Sequence, residues 1–180
     1  MVIRRATVAD VPSMHKLIND AAEYGLMLPK ALAVLYENVR EFVVAVDGDA
    51  VVGCCGLSII WGDLAEIVSL AVAASHRRRG LGRQLTEACL DEARELGIAR
   101  VMSLTYERAF FERLGFAVVD RLKLPHKVWA ECVRCPKHDA CDEIAMMKVL
   151  QGVPAATAPT PPVSARYDVP VQLTTSRARG

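Results

Sequence analysis

Hydrophobic and polar positions switch repeatedly between period two and the helical period, and those switches divide the chain into elements. Residues 2–7 read as a strand, and Asp10 or Ser13 is placed to cap a helix carrying Met14, Leu17, Ile18 and Ala21. A second helix follows Pro29, with Leu32, Leu35 and Val39 on one face. Residues 42–46 and 50–60 read as strands around Asp47-Gly48-Asp49, where Asp-Gly marks a hairpin. Trp61-Gly62-Asp63 then turns the chain into a strand in which Glu66, Val68, Leu70 and Val72 alternate with Ile67, Ser69 and Ala71. That strand is apolar on both faces, with one carboxylate near its start. From Leu81, the residues Leu85, Ala88, Cys89, Ala93 and Leu96 recur at helical spacing, and Gly97 is placed to end the helix. A strand at 101–105, a short helix at 107–114 stopped by Gly115, a strand from Phe116 and a last strand at 143–150 complete the pattern.

Antiparallel strands followed by a strand, helix, strand unit predict an α+β fold: a mixed, mostly antiparallel sheet with helices on both faces. The chain has 180 residues, 52% of them hydrophobic, enough for one core, placed here in residues 1–150. Residues 151–180, rich in proline, alanine and threonine, bury too little apolar surface to offset their ordering entropy and are expected to be disordered. A net charge of +1 gives no global field for a polyanion, which argues against nucleic acid. No apolar run approaches the roughly 20 residues of a spanning helix, and the first residues carry no apolar leader, so the expectation is a cytoplasmic protein without membrane contact. Its six cysteines would then be reduced.

Between the two-faced strand and the long helix stands His76-Arg77-Arg78-Arg79-Gly80-Leu81-Gly82-Arg83. Amides at a helix N-terminus, glycines that let the backbone approach, and arginines make an anion cradle suited to a pyrophosphate. An Arg-rich loop that merely joins strand to helix is the alternative on composition alone. There is no Gly-x-Gly-x-x-Gly and no Gly-Lys-Ser/Thr loop, so neither a dinucleotide fingerprint nor a P-loop applies.

The spacing Arg77, Gly80, Gly82 after a buried strand resembles the acetyl-CoA motif of the GNAT acetyltransferases. The opening Ile3-Arg4-Arg5-Ala6-Thr7 with Asp10, and Phe111-Glu112-Arg113-Leu114-Gly115-Phe116, carry the likeness across residues 1–150. Within that superfamily the chain is most similar to short amino-acid N-acetyltransferases of the N-acetylglutamate synthase type, through Leu28-Pro29-Lys30, Leu35-Tyr36-Glu37-Asn38, residues 61–67, Leu104-Thr105-Tyr106, residues 123–129 and residues 132–146. The resemblance implies acetyl-CoA as the only organic cofactor. Leu70, Ala71 and Val72 would pair with its pantetheine arm, and amides from Arg77, Arg78, Arg79, Gly80, Leu81, Gly82 and Arg83 would hold its pyrophosphate.

Acetyl transfer to an amine needs a neutral nitrogen, and amines are mostly protonated near pH 7, so a general base is required. Glu66 stands where the superfamily's founding histone acetyltransferase keeps its catalytic glutamate; a water held by other groups is the alternative. The leaving thiolate takes a proton, commonly from a tyrosine in the short helix before Gly-Phe, but Phe111 occupies that position here, and Tyr106 is the nearest substitute. A dicarboxylic acceptor such as L-glutamate, acetylated in the first step of arginine biosynthesis, would draw on Lys30, Arg40, Arg108, Lys123 or Lys127. Related proteins often carry arginine after the Glu-Ile pair, whereas this chain has Val68.

Cys54, Cys55 and Cys89 fall at core positions. Cys132, Cys135, His138 and Cys141, with His126 in reserve, offer a zinc-like ligand set, a redox-sensitive thiol cluster or simply a packed loop. Beside acetylation of a small amino acid, two readings stay open: a protein or peptide N-acetyltransferase, and a non-catalytic acyl-CoA-binding or metal-sensing module. A homodimer is also left open.

Overall fold

The computed structural model describes residues 1–121, Leu124 and residues 142–154. Seven strands form one sheet: β1 (Val2–Arg5), β2 (Phe42–Asp47), β3 (Ala50–Trp61), β4 (Leu64–Val72), β5 (Arg100–Thr105), β6 (Ala117–Val118) and β7 (Ile144–Val149). Their spatial order is β1-β2-β3-β4-β5-β7-β6, and every pairing is antiparallel except β4 with β5. The helices are α1 (Val11–Glu23), α2 (Leu32–Glu37), α3 (Leu81–Glu95) and α4 (Arg108–Arg113).

Period two in the central strands sorts side chains onto the two faces of the sheet. Val43 pairs with Cys55, and both pack with Leu81, Leu85, Cys89 and Ala93 on the α3 face. Val44 pairs with Cys54, and both pack with Met14, Ile18 and Leu35 on the α1 face. The stripe Leu81, Leu85, Cys89, Ala93 is fully covered, which explains why α3 forms where the sequence predicts it. Leu96 is the exception to that stripe: it follows the last helical residue and is 52% exposed, while Gly97 takes φ +73° and Ile98 N–H returns to the Ala93 carbonyl.

Three further expectations are corrected. The Asp10 side chain does not cap α1. It instead accepts two hydrogen bonds from Arg4 at 2.7 and 2.9 Å, and others from the Thr7 amide and hydroxyl at 2.7 and 2.8 Å. The Arg4 guanidinium, with those Thr7 donors, holds the Asp10 carboxyl far below the usual carboxylate range. α2 buries only Leu35; Leu32 is exposed and Val39 lies beyond the helix in a separate 3-10 turn. Finally, order extends past Leu150: Val153 packs against the α3-side core. Residues 155–180 lie outside the described residues.

The largest departure from simple alternation is inside β4. Glu66 pairs with Ser58 and Val68 with Gly56, but the next pair is Ala71 with Cys54. Two steps along β3 thus match three along β4, and the extra residue is accommodated where Ser69 adopts φ +52°. The bulge inverts the parity of the strand. Val68 and Ala71 lie on the α1 face, with the Val68 methyl and the Phe42 ring against Gly56; Ile67, Leu70 and Val72 lie on the α3 face. By the same register Glu66 belongs to the α1 face.

Candidate active site

β4 and β5 run parallel, and their pairing covers only Leu64 to Glu66 against Arg100 to Met102. Beyond it, Ser103 Oγ reaches the Ile67 carbonyl at 3.4 Å, and from there the strands diverge while β5 stays paired with β7. The bulge at Ser69 thereby opens a cleft of about 730 Å³ between the carboxyl ends of the two parallel strands. Its floor is residues 69–72 of β4, its opposite wall residues 103–106 at the end of β5, and Phe110 and Phe111 of α4 close one side.

The N-terminus of α3 opens into this cleft. Gly80 is the N-cap with φ +79°, a conformation that turns the backbone so that the first amides of the helix are not met by a side-chain cap. A Cβ on Gly80 would meet nothing within 4 Å, whereas one on Gly82 would touch the Phe110 ring at 3.6 Å. Space for an anion thus lies against the amides of Leu81, Gly82 and Arg83, at the positive end of a 15-residue helix. Thr86, buried in the second turn, donates to the Gly82 carbonyl at 2.9 Å and so does not compete for those amides.

The loop is anchored at both sides. Arg77 Nε donates to the Val72 carbonyl at 3.0 Å, tying the loop back to the strand. His76 Nε2 lies 3.2 Å from Asp47 Oδ2 and its Nδ1 2.8 Å from Ser75 Oγ. His76, followed by the N-terminal amino group, pulls the Asp47 carboxyl below its ordinary range. Arg83 pairs with Glu87 at 2.7 Å along the helix and Arg77 is turned to the Val72 carbonyl, while Arg78, itself at φ +61°, also lines the cleft.

Of the residues expected to hold the cofactor, Leu70, Ala71, Val72, Arg77, Arg78, Gly80, Leu81, Gly82 and Arg83 all line this one cleft. Arg79 is exposed and stands outside it. Tyr106 lies on the wall at the end of β5, opposite the strand it was expected to serve. Phe111 is 4% exposed and stacks edge-on between Phe110 and Phe116 at 5.1 Å from each, a core position as well as a cleft wall. Glu66 is half-buried one residue before the strands part, adjacent to the cleft rather than in its lining.

The expected core cysteines are covered: Cys54, Cys55 and Cys89 are free and buried, and burial pushes the Cys54 thiol up to about 12. Sharing a hydrogen bond with Cys89, together with burial, likewise raises Cys55. Lys123, His126, Lys127, Cys132, Cys135, His138 and Cys141 lie outside the described residues, and no cluster of metal-ligating side chains occurs among the described ones. The sequence reading missed Leu26 and Met27, which bring the segment after α1 to the cleft, and Phe110, which packs over Gly82. Gly25, directly after the periodic part of α1, was the available signal for a turn there.

A mixed sheet splayed at a bulge, with an uncapped helix N-terminus open beside the splay, is the arrangement of an acyl-CoA-dependent acyltransferase. Residues 12–116 match the acetyltransferase (GNAT) family, and the chain belongs to that family. An uncharacterised N-acetyltransferase of Chlorobaculum tepidum is 38% identical over 82% of this chain and 96% of its own length. An amino-acid acetyltransferase of Mycobacterium tuberculosis is 38% identical over 74% of this chain and 78% of its own. Among solved structures, a Mycobacterium tuberculosis protein in complex with CoA superposes with TM-score 0.72 at 34% identity, covering 83% of this chain and 99% of that one. N-acetylglutamate synthase of Neisseria gonorrhoeae, complexed with CoA and N-acetyl-glutamate, superposes with TM-score 0.76 at 25% identity; the match covers 83% of this chain but only 35% of the synthase. The protein is an acetyl-CoA-dependent N-acetyltransferase, and the cradle of Gly80 and the α3 amides fits the pyrophosphate of that cofactor.

Proposed function

We propose that the acceptor is the α-amino group of a small amino acid, with L-glutamate the first candidate. The inverted parity of β4 carries this reading. It directs Glu66 to the α1 face, while the cradle, Leu70 and Val72 belong to the α3 side. The two substrates thus approach the splay from opposite faces of one sheet. The amino-acid acetyltransferase names of relatives at 38% and about 30% identity support the acceptor class.

Acetyl-CoA, when bound, supplies a thioester whose carbonyl carbon the amine nitrogen attacks, forming the C–N bond as the C–S bond breaks. The chain's residues handle the protons. The Glu66 carboxylate removes one from the acceptor ammonium, directly or through a water, so that a neutral nitrogen is presented. Amides at the strand edge that β5 leaves at Ile67 orient the acyl end, and the α3 terminus holds the pyrophosphate end. The Tyr106 hydroxyl, on the wall facing that edge, donates to the departing sulfur and regains a proton from the nitrogen as it becomes an amide; Phe111 cannot donate. Val68, packed against Gly56 and Phe42, puts an apolar surface where an arginine would serve a side-chain carboxylate, so recognition of glutamate would rest on other cations.

The test is CoA thiol release by purified protein against free amino acids and a lysine peptide. Turnover on a free amino acid, lost by a factor of about 100 or more in Glu66→Gln with CoA affinity unchanged, supports the reading. Turnover on the peptide alone moves the acceptor to a protein, and full activity of Glu66→Gln removes it as the base. Glutamate turnover at arginine-pathway rates would extend the reading to that biosynthesis.

A further inference from the structure

The segment after α1 forms part of the cleft, and both of its ends are tied to the last turns of the helix. At the near end the Gly25 amide bonds the Ala22 carbonyl at 2.9 Å and the Leu26 amide the Ala21 carbonyl at 3.1 Å, with Gly25 at φ +70°. At the far end Asn19 acts as a neighbouring strand would. Its Oδ1 accepts the Lys30 amide at 3.3 Å, while its Nδ2 donates to the Lys30 carbonyl at 3.0 Å and to the His15 carbonyl at 2.9 Å. One side chain therefore satisfies both backbone groups of Lys30 and is itself held by its own helix.

Between these ties stand Leu26 and Met27, which line the cleft. Burial holds them unequally: Leu26 is 42% exposed, and Tyr24 before it 80%, while half-buried Met27 packs against the α1-side core. With Met27 its one contact to that core, the arch depends on its hydrogen bonds to keep its shape. We propose that Asn19 is a positioning residue for the acceptor, fixing the arch over residues 24–30 so that Leu26 and Met27 form the acceptor wall on the α1 side. The proposal rests on the acceptor entering from that side, as argued above. Asn19 itself is not in the cleft lining, so its effect passes through the arch.

The test compares Asn19→Ala with Ile18→Val, a buried neighbour on the same helix that faces the α1-side core. For Asn19→Ala the acceptor KM should rise about tenfold, the scale of one or two net hydrogen bonds, with the acetyl-CoA KM and kcat at saturating acceptor within about twofold. Ile18→Val should lower the melting temperature and leave the acceptor KM alone. An unchanged acceptor KM in Asn19→Ala, an equal rise in both KM values, or the same KM effect from Ile18→Val would overturn the proposal. If the wild-type protein acetylates no amino acid, the acceptor reading fails on its own. Amide exchange over residues 26–30 then decides the arch: faster exchange in Asn19→Ala supports the tie, and unaltered exchange overturns it.

Discussion

Gly80→Ala isolates the backbone conformation of the cradle from its charge. Gly80 sits at φ +79°, and a Cβ there meets nothing within 4 Å, so the substitution adds no clash and changes only conformational preference. Holding an L-residue in the left-handed region costs about 1–2 kcal/mol. The lower chain entropy of alanine in the unfolded state returns about 0.4–1 kcal/mol. The net loss is about 1 kcal/mol, or about 2–4 °C in melting temperature for a domain of this size. CoA binding reads the other half of the effect. If the loop relaxes to relieve the strain, the amides of Leu81, Gly82 and Arg83 no longer converge, and affinity should fall about tenfold, equivalent to about 1.4 kcal/mol. Titration calorimetry with CoA and scanning calorimetry without it separate the two. Arg78→Gly is the reciprocal case: at φ +61° it should gain stability by about 1 kcal/mol while losing a cleft cation. A Gly80→Ala protein with unaltered melting temperature and unaltered CoA affinity would show that the backbone at Gly80 does not build the cradle.

Asp10→Asn should cost about 2–3 kcal/mol by breaking the charge-assisted bonds from Arg4 and Thr7, measured by urea unfolding at pH 7. Because the folded carboxyl is held below its unfolded value, its contribution is complete above about pH 4 and is lost as pH falls toward the folded value; the wild-type minus Asp10→Asn difference should shrink over that acidic window, and a difference constant down to pH 2 would be incompatible with this origin. Thiol alkylation near neutral pH should leave Cys54, Cys55 and Cys89 unmodified until denaturant is added, as peptide mass spectrometry would record; rapid native labelling would contradict their burial. Truncation after Pro154 should preserve melting temperature and activity, whereas truncation after Leu150 should lower the melting temperature through loss of the Val153 contact; identical melting curves would show that contact to be inert.

What the sequence made legible was whatever a single period could carry. The Leu81, Leu85, Cys89, Ala93 stripe, the Asp-Gly hairpin and the Arg77-Gly80-Gly82 spacing each mark an element or site locally, and the structure has them there. The bulge in β4 was not legible, because a strand apolar on both faces reads the same before and after a parity inversion. Only a strand with one polar face would have shown the slip. Asn19 escaped for a related reason: a polar residue on a helix reads as solvent-facing, and its partner Lys30 is 11 positions away across a turn. Asp10 was legible as a helix-start residue, but the competing donor, Arg4, lies six residues earlier on β1, a contact no local pattern reports. Phe111 remains readable from either side, since an aromatic before Gly-Phe fits a core as well as a site.

The position of β7 between β5 and β6 has a consequence for how the molecule is made. Among the described residues, an interior strand is the last one synthesised. Until Val149 has left the ribosome the sheet ends at β5, with a bare edge from Arg100 to Thr105, and β6 has nothing to pair with. Such an edge recruits any extended chain that reaches it, a neighbouring nascent copy included. A translation product stopped between α4 and β7 is therefore expected to aggregate through that edge. By the same logic, a peptide carrying residues 143–154 supplied in trans should insert between the two strands and complete the sheet.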